Sequence, residues 1–243
     1  MLTQVGYAPL FLFIAITLTT VFLFLRTIKY PNFKIPRKTA KTVMIILFIW
    51  IALQGWLGFR GGYRDYVFTP PKIFILGVAP AFLFILCLLL VSKGRTFLKQ
   101  LDLKALTVLH LIRIPVELGL FFLCAHKVLP TEMTFTGQNF DILSGLTAPL
   151  IVWLVFVKKR KNAKAVLIIW NFICLALLAN IVYTAIFSTP YPFQKFGMEQ
   201  PNIAVFYFPY VWLPTVIVPL VVLAHISTFL KLFSKNNEFS KAE

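Results

Sequence analysis

Seven long apolar stretches make up most of this chain, and a chain built that way has few folds open to it. About 18 or more apolar residues in a row can cross a membrane's hydrocarbon layer as a helix, in which the backbone bonds are satisfied within the segment. The stretches run Tyr7–Leu25, Val43–Phe59, Ile73–Val91, Leu106–Ala125, Ile142–Val157, Ala165–Phe187 and Ile203–Leu230. Hydrophobic residues are 59% of the 243 and charged residues only 13%, which removes the ordinary soluble classes. The expectation is an all-α integral membrane protein: a seven-transmembrane-helix bundle, with residues 1–243 as one transmembrane domain. Met1 to Gly6 carry no positive side chain and no small-x-small site follows, so the first stretch is expected to be retained. Pro209, Pro214 and Pro219 interrupt the last stretch, which is expected to kink or to begin at a slant near the interface.

A net charge of +16 invites a nucleic-acid reading, and its placement argues against one. Of the 24 Lys and Arg, eighteen fall in alternate connections and the tail: Arg26 to Lys41, Lys93 to Lys104, Lys158 to Lys164 and Lys231 to Lys241. Five fall on the other side, and Arg113 lies within a stretch. Such a bias orients a membrane protein with its basic side in the cytoplasm. The N-terminus is then outside and the C-terminus cytoplasmic, in a cell inner or plasma membrane crossed several times. The basic loops are expected to meet membrane lipids and no nucleic acid.

The fourth stretch carries His110, Arg113 and Glu117, spaced to share one helical face. Ionisable groups within a span are costly and turn towards a protein interior or a hydrated cavity. An Arg113–Glu117 pair at i, i+4 would offset part of that cost. His225 lies in the last stretch at a depth similar to His110. Asn180 and Tyr183 share a face of the sixth stretch, with Asn171 on the other, and Trp50 and Gln54 sit one turn apart in the second. The expected substrate-binding set is therefore His110, Arg113, Glu117, Asn180, Tyr183, His225 and Gln54, with Asn171 as interhelical glue. Asp141 opens the fifth stretch and reads as a helix cap. Three histidines without carboxylates at matching depth make no metal site, and no cofactor is expected.

Ala-Pro occurs in the outer halves of stretches one, three and five, at Pro9, Pro80 and Pro149. Each proline inside a helix leaves a carbonyl four residues back for the bundle to satisfy elsewhere. Cys87, Cys124 and Cys174 all fall within stretches, where packing is their expected role. No lysine lies within the last stretch to hold a retinal Schiff base, and no hydrolase, Walker or dinucleotide motif is present.

Three functions fit. The first is a transporter or ligand-binding receptor for a small or lipid-like molecule, with a polar site near the bilayer midplane centred on the fourth span. The second is an integral-membrane enzyme acting on a lipid or isoprenoid by Glu/His acid–base chemistry. The third is a structural or assembly subunit whose charged stripe meets a membrane-protein partner.

Overall fold

The computed structural model describes residues 2, 5–29, 35–67 and 69–234. Lys34, Lys235 and Lys241 of the basic segments lie outside them. The described residues form helices and connections, with no strand among them. The helices are α1 (Tyr7–Lys29), α2 (Arg37–Arg60), α3 (Ala79–Leu90), α4 (Ser92–Gln100), α5 (Leu103–Leu109), α6 (Arg113–Ala125), α7 (Ile142–Val152), α8 (Ala163–Phe187) and α9 (Val218–Leu232). A 3-10 turn at His110–Ile112 joins α5 to α6, and wide π-turns at Phe74–Val78, Trp153–Val157 and Leu213–Ile217 adjoin α3, α7 and α9.

Five helices are long and apolar enough to cross a membrane: Tyr7–Ile28, Arg37–Arg60, Leu103–Ala125, Ala163–Phe187 and Leu213–Leu232. A sixth is gained if α3 and α4, bent by 96° at their junction, are counted as one span. The expected count of seven is therefore five to six by helix length. Ile142–Val157 is an apolar helix below that length. The last stretch is continuously helical only from Trp212, because residues 203–211 hold a short 3-10 turn followed by irregular chain.

Burial ranks the helices. Some 61% of the apolar window of α9 is buried, against 22% for α2. On α2 the buried residues are Ile51, Gln54, Gly55 and Gly58, all in its second half. That helix stops at Gly61, whose φ of 80° is open to glycine, and Gly62 N–H returns to Leu57 O at 2.8 Å. α4 is short and amphipathic: Gly94 and Leu98 are buried, while Lys93, Arg95 and Lys99 are exposed.

The prolines explain the turns. Pro80 has no N–H for the Leu76 carbonyl, and Gln54 Nε2 on α2 donates to that oxygen at 3.0 Å. Pro219 likewise leaves the Thr215 carbonyl, and Trp50 Nε1, one turn before Gln54, donates to it at 2.8 Å. Tyr63 Oη donates to Gln54 Oε1 at 2.6 Å, which fixes that amide. One face of α2 thus repairs two proline breaks in two other helices. The close approach centres on Gly77, where a Cβ would meet Thr215 Cγ2 at 2.6 Å.

Candidate functional site

α7 reaches the α5–α6 joint through Gly145. A Cβ there would meet Ile114 Cγ1 at 2.7 Å, so only glycine lets the two backbones come this close. That approach carries Asp141 and Ser144 to Arg113. Arg113 Nη1 pairs with Asp141 Oδ1 and donates to Ser144 Oγ at 2.8 Å and to the Cys174 carbonyl at 3.1 Å. Its Nη2 lies 2.6 Å from His225 Nε2. A guanidinium can only donate, so that imidazole nitrogen accepts and Nδ1 carries the proton. His225 Nδ1 then donates to Asn171 Oδ1 at 2.7 Å, and Asn171 Nδ2 returns to the His225 carbonyl at 3.2 Å. The His110 ring lies 4.4 Å from that of His225, and Trp170 meets it edge-on at 5.3 Å.

Glu117, one turn after Arg113, belongs to a different set of contacts. Asn139 Nδ2 donates to both its oxygens, at 2.6 and 2.7 Å, and to the Met133 carbonyl at 3.0 Å. Asn139 Oδ1 accepts from the Asp141 N–H at 3.0 Å, which ties the Glu117 contacts to the Arg113 contacts. Both Asn139 and Met133 come from the connection before α7, which folds inward so that its end enters the bundle. His110, Arg113, Glu117, Asp141 and Asn139 are each exposed by 5% or less.

Three of these groups border a cavity of about 110 Å³. Arg113, Glu117 and Asp141 line it, together with Phe82 of α3, Val116 and Leu120 of α6, and Leu178 and Ile181 of α8. Two of the three π-turns complete the wall through Phe74 and Leu213, so the helices broken at Pro80 and Pro219 border the void at their irregular turns. Asn202 also lines it, fully buried. Its Nδ2 donates to the Ala185 carbonyl at 3.3 Å, but its Oδ1 has no partner among the described residues, and neither has Arg113 Nε nor His110 Nδ1.

Residues 70–233 match the family model of a domain of unknown function, DUF8737, over well more than half of the chain. The chain belongs to the DUF8737 family. No curated protein and no solved structure matches it. The DUF8737 region runs from the turn before α3 to the end of α9. It contains every residue of the buried cluster and leaves out α1 and α2.

Within the DUF8737 region His110, Arg113, Glu117 and His225 come together in or beside one cluster. Three other expected site residues do not join it. Asn180 is exposed and donates to the Gln138 carbonyl at 2.9 Å. Tyr183 is 45% exposed and packs on Phe187. Gln54, outside the family match, is occupied with Leu76 and Tyr63. The expected Arg113–Glu117 pair is replaced by Arg113–Asp141. An adjacent helix can point a carboxylate straight at the guanidinium, whereas base before acid on one helix is the poorer order. Asp141 does stand at the α7 N-cap, yet its side chain makes no cap bond and goes to Arg113 instead. Asn139 and Ser144 were missed by sequence reasoning. The one signal for them was their closeness to an acidic residue at the head of an apolar run.

Proposed function

We propose that this protein is a multi-pass protein of a cell inner or plasma membrane that binds, and as a transporter or receptor responds to, a small or lipid-like molecule. The site is the cavity beside Arg113, Glu117 and Asp141, near the bilayer midplane. The observation that carries this reading is the void itself: a buried charge network borders an apolar cavity instead of being packed shut. The π-turns in its wall add support, since such turns recur at functional positions and provide places to bend. We further take Ile142–Val157 as a short crossing, which gives seven spans with the N-terminus outside and the basic connections in the cytoplasm. The acid–base enzyme reading asks Glu117 and His110 to flank one substrate. Glu117 lines the cavity while His110 packs on His225 and Trp170, which favours binding over catalysis.

The test is native mass spectrometry of the purified protein, beside variants that fill the cavity, Val116→Trp and Ile181→Trp. A small bound species is expected in the natural protein and lost in both variants while the fold, read by thermal unfolding, survives. A ligand that persists in both filled variants, or none at any membrane-lipid composition, would overturn the reading.

A further inference from the structure

The charges around the cavity do not balance. Among the described residues that line it, Arg113 is the one cation, and Asp141 already pairs with it. Ser144, the Cys174 carbonyl and His225 take its remaining hydrogen bonds. Glu117 lines the same cavity and is bonded by the neutral amide of Asn139. With both carboxyl groups ionised, the cluster would carry one negative charge in excess. An uncompensated carboxylate in an apolar interior is costly, so it takes up either a proton or a cation.

A second observation points the same way. Asn202 is 0% exposed, lines the cavity, and has a carbonyl oxygen that accepts no hydrogen bond. The Thr189 hydroxyl on the same wall is spent on the Ile186 carbonyl at 2.6 Å. The open valences of the wall are thus mainly acceptors, Glu117 and Asn202. With Glu117 ionised the one open donor is Arg113 Nε, and an anion placed there would take the cluster from one excess negative charge to two; with Glu117 protonated the anion would still leave one in excess. Size sets a further limit: 110 Å³ is less than the roughly 150 Å³ of an engineered apolar cavity that admits benzene.

We infer that the cavity takes a monocationic amine with an apolar body, either a small one or the ammonium end of a longer chain, and that the amine exchanges with a proton on Glu117. This rests on the cavity being a ligand site, as proposed above. In the empty state the Glu117 carboxyl keeps its proton and the cluster is neutral. On binding, the ammonium keeps its own protons, Glu117 releases one to water, and the cluster is neutral again. The one covalent bond broken is the carboxyl O–H. Binding therefore strengthens as pH rises, as long as the amine stays protonated, and each amine bound releases about one proton.

The experiment uses the full chain in phosphatidylcholine nanodiscs and three probes of like shape: hexylammonium, 1-hexanol and hexanoate. Binding is followed by calorimetry, and proton release by a pH dye in weak buffer. Hexylammonium is expected to bind with release of about one proton, and the other two to bind at least tenfold more weakly. Glu117→Gln should weaken hexylammonium at least about tenfold and end the proton release, as loss of a charged hydrogen-bond partner implies. Asn202→Leu should weaken it while leaving the proton release of whatever still binds. Tighter binding of hexanoate or 1-hexanol, if blocked by Val116→Trp, would overturn the amine while leaving the cavity as a ligand site. Hexylammonium bound without proton release, or bound equally by Glu117→Gln, would overturn the exchange. If none of the three binds and no species co-purifies, both readings fall.

Discussion

Two buried polar networks sit in this bundle, and they are built on opposite principles. The first joins Trp50, Gln54 and Tyr63 to the carbonyls left open by Pro219 and Pro80. It is neutral, and each of its donors meets an acceptor. The second joins Arg113, Asp141, Glu117, Asn139 and His225. It is ionic, carries more carboxyl groups than cations, and leaves buried polar atoms open beside a void. Void size does not separate them. A larger apolar groove, about 610 Å³, opens between the N-terminal half of α2 and helices α3, α4 and α9, with Trp50 and Thr215 in its wall. None of its lining polar side chains is buried without a partner. What separates a repair from a candidate site is the balance of charges and hydrogen bonds around the space. Polar residue types in an apolar helix are common to both.

The largest effect should come from breaking the ionic network at its centre. Arg113→Leu leaves Asp141 buried without its counter-charge and is expected to lower stability by about 3–5 kcal/mol. Thermal unfolding in detergent would read this as a large fall in midpoint. Adding Asp141→Leu should recover most of the loss, since the stranded charge is then gone. A single variant as stable as the natural protein would mean that the pair contributes little to the fold.

The neutral network should give smaller losses and leave ligand binding intact. Gln54→Leu strands the Leu76 carbonyl and the Tyr63 hydroxyl, at a cost of about 1–3 kcal/mol. Trp50→Phe removes one bond, worth about 0.6–1.7 kcal/mol between helices in a membrane. Gly77→Ala drives a methyl towards Thr215 and is expected to cost about 1–3 kcal/mol through overpacking. If Gln54→Leu instead abolished binding of the species held in the Arg113 cavity, the separation of the two networks would fail.

How much of this could be read from the chain follows from which interactions are local. The apolar stretches predict helices, and helices form at all seven, because period and length act within each segment. The stripe at His110, Arg113 and Glu117 is local to one helix and does turn inward. The open carbonyls behind Pro80 and Pro219 follow from covalent structure alone. Their donors do not, because Trp50 and Gln54 meet them only through the packing of α2. The partner of Arg113 was illegible for the same reason. Glu117 is four residues away and Asp141 is 28, and only the glycine contact at Gly145 decides which of them arrives. The 96° bend into α4 is not legible, since its nine residues hold three basic side chains and too few apolar ones to stand out from a basic connection.

Glu117→Gln should change stability little in the ligand-free protein. The amide keeps the shape of the carboxylic acid, and its oxygen still accepts from Asn139 while its NH2 loses the second contact, so about 0.5–1.5 kcal/mol is expected. Its effect should lie in ligand binding, where the native and variant proteins diverge.

The smallest effects should come from the face of α8 that the sequence offered as part of a pocket. Asn180→Ala loses one exposed hydrogen bond to the Gln138 carbonyl, and Tyr183→Phe loses only a hydroxyl from a half-exposed ring. Each is expected to stay within about 0.5 kcal/mol in thermal unfolding, as surface substitutions do. Neither should alter occupancy of the cavity by native mass spectrometry. Asn180 does touch the connection that delivers Asn139, through Gln138 just before it. That link makes Asn180→Ala the sharper of the two controls. If it emptied the cavity, the connection would act as a movable latch on Glu117, and the site would extend to the outer surface of α8.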